Sequence, residues 1–321
     1  MTRHLRTDML ENFMLDFSEL RHQTVQPIVV EDHLFGFSCD YRNEILDYIS
    51  SWISEHDRPI VVYTSYVFDD RVRRVYPNCD FRLEFWPGFQ ELEHYKVHPD
   101  RKHVKFLCSF NGSPHVSRQL LVSILHKFGW FDLDYVSKNF AYATDALDGN
   151  IGAHVPTQLT YYRKFFIGQE SDNFNRTINS FGHAQYHHRQ NIHTLEKKLT
   201  DCFVHLVSES MATSYYPFFS EKFLYSVVTR GLFVSYAQPG WHDHVDKYLG
   251  FKKYDKIFDY SFDHINNPVK RLVELMCMLS RFSHLSESDW HDLYHMEIDT
   301  IEFNYNHYYS GDWIKQLRLY G

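Results

Sequence analysis

Two short polar clusters hold most of the residue types that could do chemistry. Ser208-Glu209-Ser210 closes an apolar run, CFVHLV, at 202–207, and Ser220-Glu221-Lys222 opens the helical pattern that follows. Arg118 stands early in another helical pattern, just after Asn111-Gly112-Ser113-Pro114. Carboxylates accept hydrogen bonds from paired hydroxyls, and a guanidinium or ammonium beside the free N–H groups of a helix start binds phosphate. Glu209, Glu221, Lys222 and Arg118 together suit a ligand that carries both hydroxyls and phosphate. Taken alone, a Ser-Glu-Lys triplet is equally a solvated helix start, with the acid favoured by the helix dipole. Its weight comes from the elements around it.

Those elements read as strand, loop, helix, strand. The run at 202–207 fits a buried strand. From 218 to 232, Phe223, Leu224, Val227, Val228 and Gly231 share one helical face, with Glu221, Lys222, Tyr225 and Thr229 opposite. A second buried strand follows at 232–237 and is closed by Gln238-Pro239-Gly240. In open α/β sheets, ligands bind at the C-terminal strand ends, where both polar clusters fall. A parallel unit precedes it. A strongly apolar strand at 104–110 leads to Ser113 as N-cap and Pro114 as first helical residue. The helix after them turns Leu120, Leu121, Ile124, Leu125 and Phe128 to one side.

The pattern of an SE pair, an SEK triplet, a helix, a buried strand and PG resembles the donor-binding core of fucosyltransferase-like and exostosin-like glycosyltransferases, with Ser220 where the family commonly has Thr. The strand, polar loop and helix with early Arg118 resemble the same family. The resemblance covers 105–263. It implies an α/β fold of GT-B type: two Rossmann-like domains facing a cleft, with C-terminal helices crossing back. It also implies that Arg118 contacts the donor diphosphate and that Glu221 accepts from the ribose hydroxyls. The domains expected are 1–103 on the acceptor side, 104–290 for the nucleotide sugar, and a C-terminal helix at 291–321, with a polar linker at 95–103.

Composition sets bounds on this reading. The chain of 321 residues is 44% hydrophobic and 23% charged, which predicts packed domains rather than disorder. The 23 Tyr and 27 Phe supply core or stacking surfaces for sugars or bases, core being the commoner use. A net charge of -8 weighs against general binding to nucleic-acid backbones. Five scattered cysteines suggest neither a disulfide framework nor a paired metal site. The N-terminal stretch has acids within its apolar pattern and lacks a signal-peptide cleavage site. No window approaches the ~18 apolar residues of a membrane span, so a cytoplasmic protein of bacterial or viral style is expected, in the host cytoplasm if viral.

The rest of the chain adds candidates in order. Helices are predicted at 9–20 and 41–53, and strands at 26–30, 60–63 and 81–86. Asp32 and Glu31, at the end of the strand at 26–30, are candidate bases, and Glu84 is a third. Asp132-Leu133-Asp134 has the spacing of a metal-binding DxD but reads as a strand entry, so no metal is expected. Residues 182–198 are the most basic stretch; His187, His188 and Arg189 form either a solvated face or an acceptor or phosphate groove, and their spacing matches no standard zinc site. After 240, short helical and aromatic segments lead to Asn267-Pro268 as N-cap and N1. The next helix carries Leu272, Val273, Met276 and Leu279. Ser286 and Asp289 suggest a capping box, and a last helical region runs to 319.

Sugar transfer needs a neutralised diphosphate leaving group, an oriented donor and, with inversion, a base. Arg118 and Lys222 are expected to stabilise the leaving group without a metal, so no cofactor beyond the nucleotide-sugar donor is called for. Ser113, Ser208, Ser210 and Ser220 are candidates for phosphate or ribose contacts, and Glu209 for the sugar or positive charge at C1. The acceptor is a glycan or, as in compact phage transferases, a hydroxymethylated DNA base. The oligomeric state is open. A competing expectation is a non-catalytic carbohydrate-binding or virion-associated protein that keeps the fold. The absence of GxGxxG and GxxxxGK[ST] argues against dinucleotide and P-loop enzymes.

Overall fold

The computed structural model describes residues 4–6, 28–32, 60–64, 74, 79–83, 104–111, 116–130, 135–138, 188–209, 212 and 217–314. The helices expected at 9–20 and 41–53, the linker at 95–103, Asp132 and Asp134, and residues 315–321 lie outside the described residues.

Two four-stranded parallel sheets organise these residues. The first holds β1 (His4–Arg6), β2 (Ile28–Asp32), β3 (Ile60–Thr64) and β4 (Cys79–Leu83) in the order β1-β2-β3-β4. Ile-Val-Val opens both β2 and β3, the β-branched continuity typical of strands covered on both faces. Glu31 and Asp32 fall inside the ladder, level with Tyr63 and Thr64, so β2 runs two residues past the expected end at 30.

The second sheet runs β6-β5-β7-β8, all parallel, from β5 (Lys105–Asn111), β6 (Tyr135–Lys138), β7 (Cys202–Ser208) and β8 (Leu232–Tyr236). The chain steps from β5 outward to β6, returns to the other side of β5 as β7, and continues to β8. The strand order therefore reverses between β5 and β7, which is where open α/β sheets hold ligands at their C-terminal edge. Every residue of β7 and β8 is buried, as expected of parallel strands covered on both faces.

Helix α1 (Val116–Lys127) packs on β6 and β7, and α2 (His188–Asp201) on β5 and β7. Helix α3 (Lys222–Val228) packs on β7, β8 and α2. The predicted helix at 218–232 is thus much shorter. Its start is pre-empted by a clamp: Gln238 Oε1 accepts from Phe218 N–H at 3.2 Å, and Trp241 Nε1 donates to the Phe218 carbonyl at 2.9 Å. Its end is a Schellman turn, with Gly231 N–H reaching the Ser226 carbonyl at 2.7 Å and Arg230 at φ +55°. The side expected to face water is covered as well, since Tyr225 and Thr229 are buried.

The cover comes from the C-terminal helices. After α4 (Trp241–His244) and the π-turn Val245–Leu249, α5 (Pro268–Ser280) packs beside β8. Asn267 caps α5 through two 3.0 Å bonds, and Ser286 with Asp289 forms a full capping box on α6 (Glu287–Met296). Trp290 of α6 stacks on Phe106 of β5 and Phe203 of β7, with centroids at 5.1 and 5.5 Å. Helix α7 (Ile298–Ser310) lies on α3. Two predicted core residues are exposed: Val273 faces away from β8, and Phe128 falls beyond the end of α1, beside the turn at Gly129 (φ +74°). Among the described residues no helix is long and apolar enough to cross a membrane.

Candidate functional site

The site is assembled where β5, β7 and β8 end. Glu209 follows β7 directly and prolongs the ladder, its N–H donating to the Tyr236 carbonyl at 3.0 Å. This fixes its backbone, and its side chain is fully buried. Ser220 N–H donates to Glu209 Oε1 at 3.3 Å, so the loop before α3 closes onto the end of β7. The Phe218 clamp holds that loop in place. The Gln-Pro-Gly turn that ends β8 is therefore also the brace for Ser220, Glu221 and Lys222. Lys222 Nζ donates to Ser220 Oγ at 3.0 Å and lies 3.3 Å from Glu221 Oε1.

Arg118 joins this group from α1. It is 3% exposed, and its guanidinium feels the charges of Glu209 and Glu221. Burial lowers its pKa to about 10 while the two carboxylates oppose the shift, so it stays charged at neutral pH. Glu209 is displaced in the other direction. Burial raises its pKa, Lys222 and the hydrogen bonds of Ser220 oppose this, and Glu221 adds to it. Side-chain exposure then rises from Glu221 at 10% to Lys222 at 24%, so the cluster opens to water on the lysine side. Ser208 Oγ and Glu209 Oε2 are buried with no hydrogen-bond partner among the described residues. Orphaned polar atoms of this kind are rare in native cores and call for an explanation.

The structure thus brings Arg118, Ser208, Glu209, Ser220, Glu221 and Lys222 to one edge. Ser113, Ser210, Glu84 and His187 lie outside the described residues. Glu31 and Asp32 belong to the first sheet. His188 and Arg189 begin α2, whose last residue, Asp201, leads straight into β7; the helix axis puts them about 20 Å from that junction. Among the described residues no group of three His, Cys, Asp or Glu side chains is arranged to hold a metal ion.

Several supporting residues were not legible in the sequence. Buried Arg271 donates to the carbonyls of Ala237 at 2.8 Å and Ala212 at 2.6 Å, and also to those of Ile265 and Asn266. It ties the end of β8 to the loop that leaves β7. His242 Nε2 accepts from Ser235 N–H at 3.0 Å, which places the ring proton on Nδ1, 3.0 Å from Asp263 Oδ1. Asp263 Oδ2 in turn accepts from His242 N–H at 2.9 Å. His205, inside β7, bridges the Leu199 carbonyl and Ser226 Oγ, each at 2.8 Å. Nothing in the pattern distinguishes these side chains from surface Arg, His and Asp; only the packing does.

No family model matches the chain, and no curated protein matches it. Among solved structures, the chain is similar to an α,α-trehalose-phosphate synthase (UDP-forming) from Burkholderia vietnamiensis, at 10% identity and a TM-score of 0.43, over 98% of this chain and 71% of that one.

Proposed function

We propose that the chain is a glycosyltransferase of GT-B type that binds a nucleoside-diphosphate sugar at the C-terminal edge of β5, β7 and β8. The observation that carries this reading is the cluster of buried Arg118, Glu209 and Glu221 with partly exposed Lys222 at the reversal point of the second sheet, where Glu209 Oε2 has no hydrogen-bond partner among the described residues. A charged cluster in a core is expensive. Its placement at the ligand-binding edge of this sheet class is what a ligand site requires.

In this reading the acceptor oxygen attacks C1 of the sugar, the C1–O bond to the diphosphate breaks, and the electron pair leaves on the phosphate oxygen. Arg118 and Lys222 take up that negative charge, so the residues present supply the stabilisation without calling on a metal. Lys222 reaches a ligand by exchanging its contacts with Glu221 and Ser220 for phosphate oxygens. Glu221, once released, accepts from the ribose hydroxyls, as the fucosyltransferase-like and exostosin-like pattern implies. With inversion, the acceptor proton goes to a carboxylate of the first sheet, for which Asp32 and Glu31 are the candidates. The acceptor is a glycan or a hydroxymethylated DNA base, the acidic net charge favouring the glycan.

A thermal-shift screen with UDP, GDP, ADP and CDP tests the reading. A true donor nucleotide stabilises the fold by about 2.7 kcal/mol at a hundredfold excess over its Kd. No shift with any of the four would leave a carbohydrate-binding protein without a donor site.

A further inference from the structure

Resting on the diphosphate site just described, we propose that Glu209 works there as an uncharged acid that donates a hydrogen bond from Oε2 to the diphosphate, so that binding is coupled to one proton on this side chain. The geometry divides its two oxygens. Oε1 is committed as an acceptor, since Ser220 N–H points at it from 3.3 Å. Oε2 is buried with no partner among the described residues. A bare carboxylate oxygen held in that place has no donor among the described residues to offset its charge.

The charge count points the same way. Glu209 is faced by Lys222 and Glu221 from the start of α3, by Arg118 from α1, and by Ser220 from the loop between β7 and α3. With both acids ionised, the two cations Arg118 and Lys222 are cancelled by Glu209 and Glu221, and the cluster offers an anion no net attraction. With Glu209 protonated, one positive charge is left over, and Glu209 itself becomes a donor. Burial and the neighbouring Glu221 already favour the protonated form before any ligand arrives, and an incoming diphosphate favours it further. An acid in this state is unsuited to stabilising positive charge at C1, so the carboxylate for that role is to be sought elsewhere.

The test is calorimetric titration of whichever of UDP, GDP, ADP or CDP binds, between pH 7 and 9, where the terminal phosphate of the nucleotide has already lost its proton. Each titration is run in two buffers of different ionisation enthalpy. The wild-type protein is expected to bind more weakly as pH rises, approaching about tenfold per pH unit, with up to one proton taken up. Glu209→Gln, whose amide is a permanent neutral donor, is expected to give a flat profile and no proton uptake. A wild-type affinity that is flat or rises with pH, or a slope that survives in Glu209→Gln, overturns the proposal. The proton count on the wild-type protein decides the matter even if the variant fails to fold. Failure of all four nucleotides to bind removes the diphosphate site itself, a result distinct from binding without proton linkage.

Discussion

Helix α3 carries charge at both ends, and the two ends are built on opposite principles. At its start, Glu209, Glu221 and Arg118 are drawn into the core with Lys222 at their solvent side, and a carboxylate oxygen and a hydroxyl have no hydrogen-bond partner among the described residues. At its end, Arg230 and Glu302 form a bidentate pair on the surface, with Nε to Oε1 at 2.7 Å and Nη2 to Oε2 at 3.4 Å. The Arg230 guanidinium also lies 3.5 Å over the ring of Tyr305, and its carbonyl accepts from Tyr294 Oη at 2.9 Å. The second arrangement completes its own hydrogen bonds and fastens α6 and α7 to the turn before β8. The first completes only some of its own. The surface pair completes its own hydrogen bonds, whereas the buried cluster, in the reading proposed above, completes its bonding with a ligand.

Mutations at the two ends are expected to differ in sign. Gly231 follows the Schellman turn, and a Cβ there would lie 2.6 Å from the His205 ring. Because His205 is held on both sides by Leu199 and Ser226, it cannot retreat. Gly231→Ala should cost about 2 kcal/mol in urea unfolding, a typical overpacking penalty. At the other end, Glu209→Gln should stabilise the ligand-free protein by about 1 kcal/mol at pH values where the wild-type carboxyl is ionised, because it removes a poorly satisfied buried charge. The pH dependence follows from the same cause. The folded-state pKa of Glu209 is raised, so its contribution to stability is fully present below the unfolded value of about 4.5 and is lost as pH rises through the folded one. Wild-type stability should therefore fall with pH in that interval, and the Glu209→Gln curve should be flatter. The smallest effect is expected for Arg230→Ala, about 0.5 kcal/mol, since its ion pair is partly open to solvent. If Glu209→Gln instead destabilised the protein as Gly231→Ala does, the contrast between the two ends would fail.

The sequence exposed the start of α3 far better than its end. Glu209 stood at the end of one apolar run, and Glu221, Lys222 and Arg118 stood early in the helical patterns between such runs, which became β5, β7 and β8. The caps at Asn267 and Ser286 were legible because capping is a local hydrogen bond between neighbours in sequence. The length of α3 was not, because its limits are set by Gln238 and Trp241 at one end and by a left-handed Arg230 at the other. Periodicity carried on through both. Arg271, His242 and His205 were missed for a related reason: each is satisfied by backbone atoms or by residues brought close only by the fold. The same holds for Val273, which fits an apolar helical pattern yet faces solvent.

The central claim is that Arg118 and Lys222 serve one diphosphate. Calorimetric titration of the best-binding nucleoside diphosphate against wild type, Arg118→Ala and Lys222→Ala tests it most directly, with Arg230→Ala as the control from the other end of α3. Each of the two site variants should lose about 2–3 kcal/mol of binding free energy, the scale of a charge-assisted contact, while remaining folded, and the control should bind as wild type does. Wild-type affinity in both site variants would contradict the account.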